Sequence, residues 1–440
     1  MHKIESNDTS IDIEPYPFGK RFAVALIDDT DHARVEESRV AYQVLRDHGV
    51  RSTRTVWPLR CDPSMPGAEL YSNTHTLEDP ELRKHCTELA AAGFEIAMHT
   101  ASGASNTRER TIAAYTLFED VFGQPPITNV MHSRNLENIH WGSDLVPKKP
   151  WQSLIRLAES TRFHGHDDAS DYFWGDLCRE KTRYVRHLDS VQADSLGLEP
   201  ATPFHDPAMP FVNWWFNAAY GAGTRLFDIL SPHSIRELRR TRGASIVHCY
   251  LRHYTRTASN TLQPHARFLQ TMKLLSDQSD GWYVPVSELL DRRRTLRSLN
   301  LSVTDGVIRI RNDGDLPLPQ LAVRVHRQKK SKKEGMETPK KETNAFSQTL
   351  LGDLNPGQEC HLSTGDHGIQ TQSEFPSQPS YNRLATAMVL RIAWQIHHGR
   401  RYRVGRTQSD SSPPWVQELY RKQAEADLSA SSDVKKRSRI

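Results

Sequence analysis

Short apolar runs, each stopping at an acidic or imidazole side chain and separated by stretches of helical periodicity, constrain this chain more than any other feature. The first run, FAVALID (22 to 28), has no polar residue before its last position and reads as a strand buried on both faces, as in a parallel sheet. The next segment is helical: Ala41, Val44, Leu45 and His48 fall at i, i+3, i+4 and i+7, and Gly49 stands where a helix stops. RTVW (54 to 57) is a second strand closed by Pro58, ELRKHCTELAAAG (81 to 93) a helix, and FEIAM (94 to 98) a strand that delivers His99. Asn106 followed by Glu109 predicts a capping box for a helix whose stripe is Ala114, Leu117, Phe118, Val121 and Phe122, with Gly123 as its stop. ITNVM (127 to 131) leads into His132, and RYVRHL (183 to 188) and ASIVHCYL (244 to 251) follow as strands, with helices near 150 to 159, 233 to 241 and 264 to 277 between them. Trp214 and Trp215 read as core. Repeated strand-helix alternation predicts right-handed crossovers and an α/β fold, a distorted, TIM-like (β/α) barrel of about seven strands over residues 21 to 297. An open doubly wound sheet is the competing architecture.

On either side of that region the grammar changes. Residues 1 to 20 form an N-terminal extension, and from 298 apolar and polar residues alternate around NDGD, a hairpin signal. A small β-rich appendage over 298 to 400 is expected, with a further strand in 351 to 364, a polar loop over 365 to 383 and a lysine-rich insert at 328 to 343. ATAMVLRIAWQIHH (385 to 398) fits a helix or a strand, and 401 to 440 reads as a disordered tail.

At 37% hydrophobic and 25% charged residues the chain can bury a large core without staples. Its five cysteines are scattered with no CxxC pair, which argues against a disulfide framework or a structural zinc site. With no apolar leader and no run approaching a membrane span, a cytoplasmic location is expected. The net charge of +4 is concentrated in 327 to 341 and 435 to 439, with no aromatic-interleaved basic face, so nucleic acid is not an expected partner.

The strand ends carry the chemistry. Reactive groups of an α/β barrel gather where its strands end, and here those positions hold Asp28-Asp29-Thr30-Asp31, His99, His132 and His248. Taken singly, an aspartate after a strand caps a helix and a histidine is a satisfied core residue. Four in register point instead to a site, because buried carboxylates need a compensating cation. One acid of the Asp28-Asp29 pair with His99 and His132 makes an Asp/His/His set suited to zinc or a similar divalent ion, with open positions left over. Of two adjacent carboxylates, one can hold the ion while the other takes a proton from water, and a histidine across the cleft can protonate a departing amine.

The strand ending IDD (27 to 29), the strand ending MHT (98 to 100) and the late IVH (246 to 248) resemble, in order and spacing, the NodB-homology polysaccharide deacetylases, carbohydrate esterase family 4. The resemblance spans about residues 22 to 290 and implies a distorted (β/α) barrel that removes acetyl groups from sugars with a divalent metal. It also implies Asp28 as base, Asp29 and His99 as metal ligands and His248 as acid. One departure stands out: HTASG puts Gly103 where the family's second metal histidine belongs, and His132 in MHSRN is the substitute. The function expected is removal of an acetyl group from an N-acetylated sugar; the alternative is a degenerate barrel that only binds carbohydrate. For the substrate, Arg134, Asn135, Glu137 and Asn138 offer hydrogen bonds, His164, His166 and Asp168 further polar groups, and Trp174 a stacking face. His205 and His253 compete with His248 for the acid's place, and His253 also reads as substrate-binding.

Overall fold

The computed structural model describes residues 2–5, 9–133, 135–145, 152–153, 156, 162–327, 346–363, 370–373, 376 and 378–401. Strands β1 (His2–Glu5) and β2 (Thr9–Ile13) come first, then β3 (Phe22–Asp28), α1 (Val35–Asp47), β4 (Thr53–Val56), α2 (Pro80–Ala91), β5 (Glu95–Met98), α3 (Arg108–Phe122) and β6 (Thr128–Asn129). The chain continues through α4 (Gly175–Lys181), β7 (Tyr184–Ser190), α5 (Ser195–Leu198), β8 (Trp214–Tyr220), α6 (Arg225–Ile229), α7 (Pro232–Thr241) and β9 (Ala244–Cys249). All neighbouring pairs from β3 to β9 are parallel, and β9 returns to pair with β3 over Ala23↔Ala244 to Asp28↔Cys249, closing a seven-stranded barrel. The fold expected from strand-helix alternation is therefore the one found, and the open sheet is not.

Two barrel strands differ from the sequence reading. WWFNAAY, of which only Trp214 and Trp215 are expected as core and no strand is expected, is the whole of β8; its bulky start hides the alternation, and Trp215, Phe216, Ala218 and Ala219 are all fully buried. ITNVM forms a ladder only at Thr128–Asn129, because the Val130 carbonyl that would extend it accepts a 2.7 Å hydrogen bond from His99 Nδ1. The capping box expected at Asn106 is also absent: α3 starts after Thr107, and Asn106 turns its backbone N–H and side-chain amide to Glu137.

Side-chain parity along β3 decides what faces the site. Phe22, Val24 and Leu26 pack in the layer between barrel and helices, whereas Ala23, Ala25 and Ile27 lie in the interior cluster with Phe216, Ala218, Ala244 and Ile246. With a period of two, Asp28 belongs to the helix-facing row and Asp29 to the interior row. Asp28 accordingly accepts hydrogen bonds from Tyr42 of α1 (3.1 Å), from Arg54 of β4 (3.1 Å) and from the backbone of Leu251 (2.7 Å), and Asp28 and Arg54 are both almost fully buried. Burial lifts the Asp28 carboxyl to about 6, with Arg54, the Leu251 N–H and Tyr42 holding it from rising further.

After a hairpin, β10 (Thr255–Ala258) and β11 (Thr261–Pro264), come α8 (Ala266–Ser276), the short β12 (Gly281–Tyr283), which joins the N-terminal half of β3, and α9 (Val286–Arg297). Beyond them β13 (Leu299–Thr304), β14 (Val307–Asn312), β15 (Leu318–Arg327), β16 (Phe346–Leu354), β17 (Glu359–Ser363) and β18 (Gln370–Ser373) form two antiparallel sheets, in the orders β13-β14-β17 and β16-β15-β2-β1-β18. The hairpin turn falls at Asp305-Gly306, where both residues have positive φ, and NDGD instead carries the chain from one sheet to the other. The stretch expected to be a polar loop contains β18, and β1 and β2, from the N-terminal extension, complete the larger sheet. Residues 385 to 398 are helical, part of α10 (Tyr381–Arg401), which packs against β7 through Leu384 and Ala387. The lysine-rich insert at 328 to 343, the tail from 402 and most of the helix expected near 150 to 159 lie outside the described residues. Among the described residues no helix is long and apolar enough to cross a membrane.

The buried Asp28–Arg54 pair yields a stability prediction. Asp28→Ala strands a guanidinium in the helix layer and should cost about 3–5 kcal/mol, read as a lowered midpoint in thermal or urea unfolding. A variant as stable as the parent would mean the pair does not bind β3 to β4.

Candidate metal centre

Strands β3, β4 and β5 each hand an inward-facing residue to the barrel mouth at the first position past the strand: Asp29, Trp57 and His99. The backbone stays in register there, since Asp29 donates to the Cys249 carbonyl and His99 to the Val56 carbonyl, both at 2.9 Å. A turn in which Ala33 donates to the Thr30 carbonyl then folds Asp31 back toward the two imidazoles.

Asp31, His99 and His132 each present one donor atom, and all three atoms lie within 4.8 Å of one another. Asp31 Oδ1 is 3.0 Å from His99 Nε2, and Asp31 Oδ2 is 3.6 Å from His132 Nε2. The far nitrogens fix the tautomers. His99 Nδ1 faces the Val130 carbonyl, which only accepts, so that nitrogen carries the hydrogen. His132 Nδ1 lies 3.0 Å from Asn135 Oδ1, and the Asn135 amide is oriented by its NH2 group, which faces Thr100 Oγ1, the Ser102 and Ala104 carbonyls and Glu137. Each ring therefore turns its Nε2 toward one carboxylate. Neutral rings would aim lone pairs at an anion, an arrangement that a proton or a cation must bridge. Burial alone would lower His132, but Asp31 and the Asn135 hydrogen bond outweigh it and hold its pKa up; burial would raise Asp31, and His132 and His99 hold it well below the carboxylate range. The donor set fits a divalent metal of the zinc type.

Ligand and base thus differ from the assignments implied by the resemblance. Asp31 joins His99 and His132, while Asp29 is 3.9 Å from His99 and is held by Arg186 in a two-pronged pair at 2.9 and 3.2 Å. Asp28, expected as base, faces the helices because strand parity turns it away from the mouth.

Beside the metal cluster lies a second group of charges. His248 sits between two carboxylates, with Nδ1 2.8 Å from Asp189 Oδ2 and Nε2 2.9 Å from Asp29 Oδ2, the latter off the line of a hydrogen bond. Arg186 and Asp189 are three residues apart on β7 and would face opposite ways in a regular strand. A bulge, in which Arg186 pairs with Phe216 and Asp189 with Ala218, brings both to the interior. Burial opposes the charge on His248, yet Asp29 and Asp189 outweigh it and raise its pKa. Burial likewise opposes Asp29 and Asp189, and Arg186 with His248 more than reverses it, leaving both well below the carboxylate range. Asp31 and Asp189 carried a signal in the sequence: the former repeats an acid two positions after Asp29, and the latter stands directly past the expected strand RYVRHL, where the mouth residues of the other strands stand.

The remaining predicted residues separate. Asn135, Glu137 and Asn138 are buried at 2%, 1% and 0% exposure and hold the loop beneath His132, so they do not face a substrate. Trp174, expected to stack on a sugar, is buried and donates its indole N–H to the Glu137 carbonyl. His166 stacks on His140 at 4.1 Å in a polar pocket of about 560 Å³ that also includes Trp141, Asp144, His164 and Asp168. His253 is buried next to Tyr250, with its pKa pushed down to about 3 by burial and Arg252. His205 lies beside Trp214 at the start of β8, the end of the barrel opposite His248. Arg134 lies outside the described residues. Gly103 has a packing reason: a Cβ there would come within 2.6 Å of Trp57 and 2.7 Å of Tyr71. Those rings fill the ligand's expected place, Trp57 stacked on His99 and Tyr71 edge-on to His132.

No family model matches the chain, and no curated protein does. Similar solved structures include the peptidoglycan deacetylase PdaC from Bacillus subtilis, at 10% identity over 63% of this chain and 94% of that one, with a TM-score of 0.30. A mutant of BA3943, a CE4 family pseudoenzyme with restored enzymatic activity, aligns at 10% identity over 63% of this chain and 70% of that one, with a TM-score of 0.28. WbmS of Bordetella bronchiseptica, described as a putative polysaccharide deacetylase involved in O-antigen biosynthesis, aligns at 12% over 58% and 90%, also with a TM-score of 0.28. At such scores these likenesses add no weight to the site, which stands on its own geometry.

Gly103→Ala forces a methyl group against Trp57 and Tyr71, so it should cost about 1–3 kcal/mol by overpacking and loosen the aromatic wall against both imidazoles. Thermal unfolding together with Trp fluorescence checks this; an unchanged midpoint and spectrum would show that the rings move aside freely.

Proposed function

We propose that this chain is a divalent-metal-dependent hydrolase that removes the acetyl group from an N-acetylated sugar or polysaccharide. The observation that carries the reading is the locked pair of imidazoles, each with Nδ1 fixed by a backbone or amide acceptor and Nε2 turned to Asp31. Asp31, His99 and His132 would hold the metal, which when bound supplies Lewis acidity toward water and a carbonyl oxygen.

The chain's own groups account for the protons. Asp29, at the mouth and clear of the metal trio's own acid, accepts the proton of the attacking water. The hydroxyl adds to the acetyl carbon, the carbon–nitrogen bond breaks, and the nitrogen takes a proton from His248, giving acetate and a free amine. Two carboxylates keep His248 protonated for that step. Asp29 Oδ2 and His248 Nε2 are 2.9 Å apart but off the line of a hydrogen bond, so the proton taken from water returns to the imidazole and resets the pair once the two groups turn into line. Arg186 fixes the Asp29 carboxylate in place throughout. The deacetylase resemblance in IDD, MHT and IVH supports the acetyl group as the target. A barrel that only binds carbohydrate is less well supported, since Asp31 and His132 make good the histidine missing at Gly103.

The test separates metal from chemistry. Asp31→Ala and His132→Ala should lose zinc, measured by elemental analysis, whereas His248→Gln should keep zinc and lose about 10²-fold or more in acetate release from an N-acetylated chito-oligosaccharide. Asp28→Asn should keep zinc, unlike a ligand variant. Zinc retained by Asp31→Ala and His132→Ala, or wild-type turnover in His248→Gln, would remove the mechanism.

A further inference from the structure

The buried carboxylate Asp189 is shared by two cations from different parts of the chain. His248, from β9, meets its Oδ2 at 2.8 Å, and Arg391, from α10, meets the same oxygen at 2.9 Å, while Arg186 Nε stands 3.6 Å from Oδ1. The Arg391 guanidinium also lies over the ring of Tyr220, 4.9 Å from its centroid, and that ring meets His248 edge-on at 5.5 Å. Two contacts thus run from one helical residue to the same imidazole, one through a carboxylate and one through an aromatic ring.

Several anchors place α10 so that Arg391 reaches inward. At its N-terminus the Ser380 backbone N–H donates to Glu199 at 2.8 Å and the Tyr381 hydroxyl to Asp206. Leu384 and Ala387 are buried in the cluster with Val185, Leu188 and Leu198, so the helix covers the flank of β7. Arg391 lies seven residues after Leu384, on the same face after two turns, which brings it to the C-terminal end of β7 where Asp189 sits.

We propose that Arg391 is a positioning residue for His248: the helix that follows the β sheets clamps Asp189, and through it sets the orientation and charge of the imidazole at the barrel mouth. The inference rests on the reading of His248 as the proton donor. Without the guanidinium, Asp189 Oδ2 would have one partner in place of two, so its charge would fall wholly on the imidazole while the carboxylate lost the anchor that orients it. The groups facing His248 are Asp29 after β3, Arg186 and Asp189 on β7, Tyr220 on β8 and Tyr250 just past β9. Of the cations near Asp189, Arg391 is a quarter exposed and Arg186 is buried and committed to Asp29, so Arg391 can be changed without opening the core.

Full-length protein loaded with zinc, as wild type, Arg391→Gln and Arg391→Lys, tests this by NMR titration of the histidine ring nitrogens, with the His248 signal identified by its loss in His248→Gln. Removing a cation that competes for Asp189 should move the His248 titration upward by on the order of one pH unit in Arg391→Gln, and Arg391→Lys should return it most of the way. Zinc content should not change, and acetate release should fall at least ~10-fold in kcat with KM little altered. An unmoved titration in Arg391→Gln overturns the inference, as does a loss of zinc or of the folded state that Arg391→Lys fails to rescue. Absence of acetate release by the wild type, with the titration shift present, would remove the hydrolase reading and leave the coupling of Arg391 to His248 standing.

Discussion

The two-pronged pair between Asp29 and Arg186 joins β3 to β7 across the barrel, strands that are not neighbours in the ring. Both side chains are withdrawn from water, and each would be untenable there without the other. Below the pair the interior is packed with Ile27, Tyr184, Phe216 and Ile246 together with Ala23, Ala25, Ala218 and Ala244, which leaves no room for water beneath it. Charge balance then follows from the same constraint. Asp189 adds a second anion, His248 and Arg391 add cations, and Asp31 with the imidazoles of His99 and His132 stands at the mouth.

The layout of the barrel was legible because its signals are local. A run such as FAVALID states burial on both faces, and the following stripe of Ala41, Val44 and Leu45 states a helix, whatever the rest of the chain does. The positions of the mouth residues were also legible, since a reactive residue at a strand end belongs to the mouth. Assigning Asp28 and Asp29 required one further step that FAVALIDD does contain: alternation places the two on opposite sides, and the alanines at 23 and 25 mark the interior row. Long-range effects left no such mark. The bulge that turns Asp189 inward depends on β8 lying beside β7, and Gly103 reads as a missing ligand until Trp57 and Tyr71 are seen to occupy the space. For Asn135, Glu137 and Trp174 the residue types suited a sugar, but burial of the loop committed each to its neighbours.

The register in which β9 closes onto β3 explains why acid and imidazole meet. At the mouth β3, β5, β7 and β9 supply Asp29, His99, Arg186 and His248. At the seam between β9 and β3, Ile27 lies opposite His248 with both side chains facing in, so the next inward residue of β3, Asp29, comes directly against the imidazole. The contact between Asp29 and His248 is thus a property of the seam, where Arg186 holds the Asp29 carboxylate charged while Asp29 and Asp189 favour the charged imidazole.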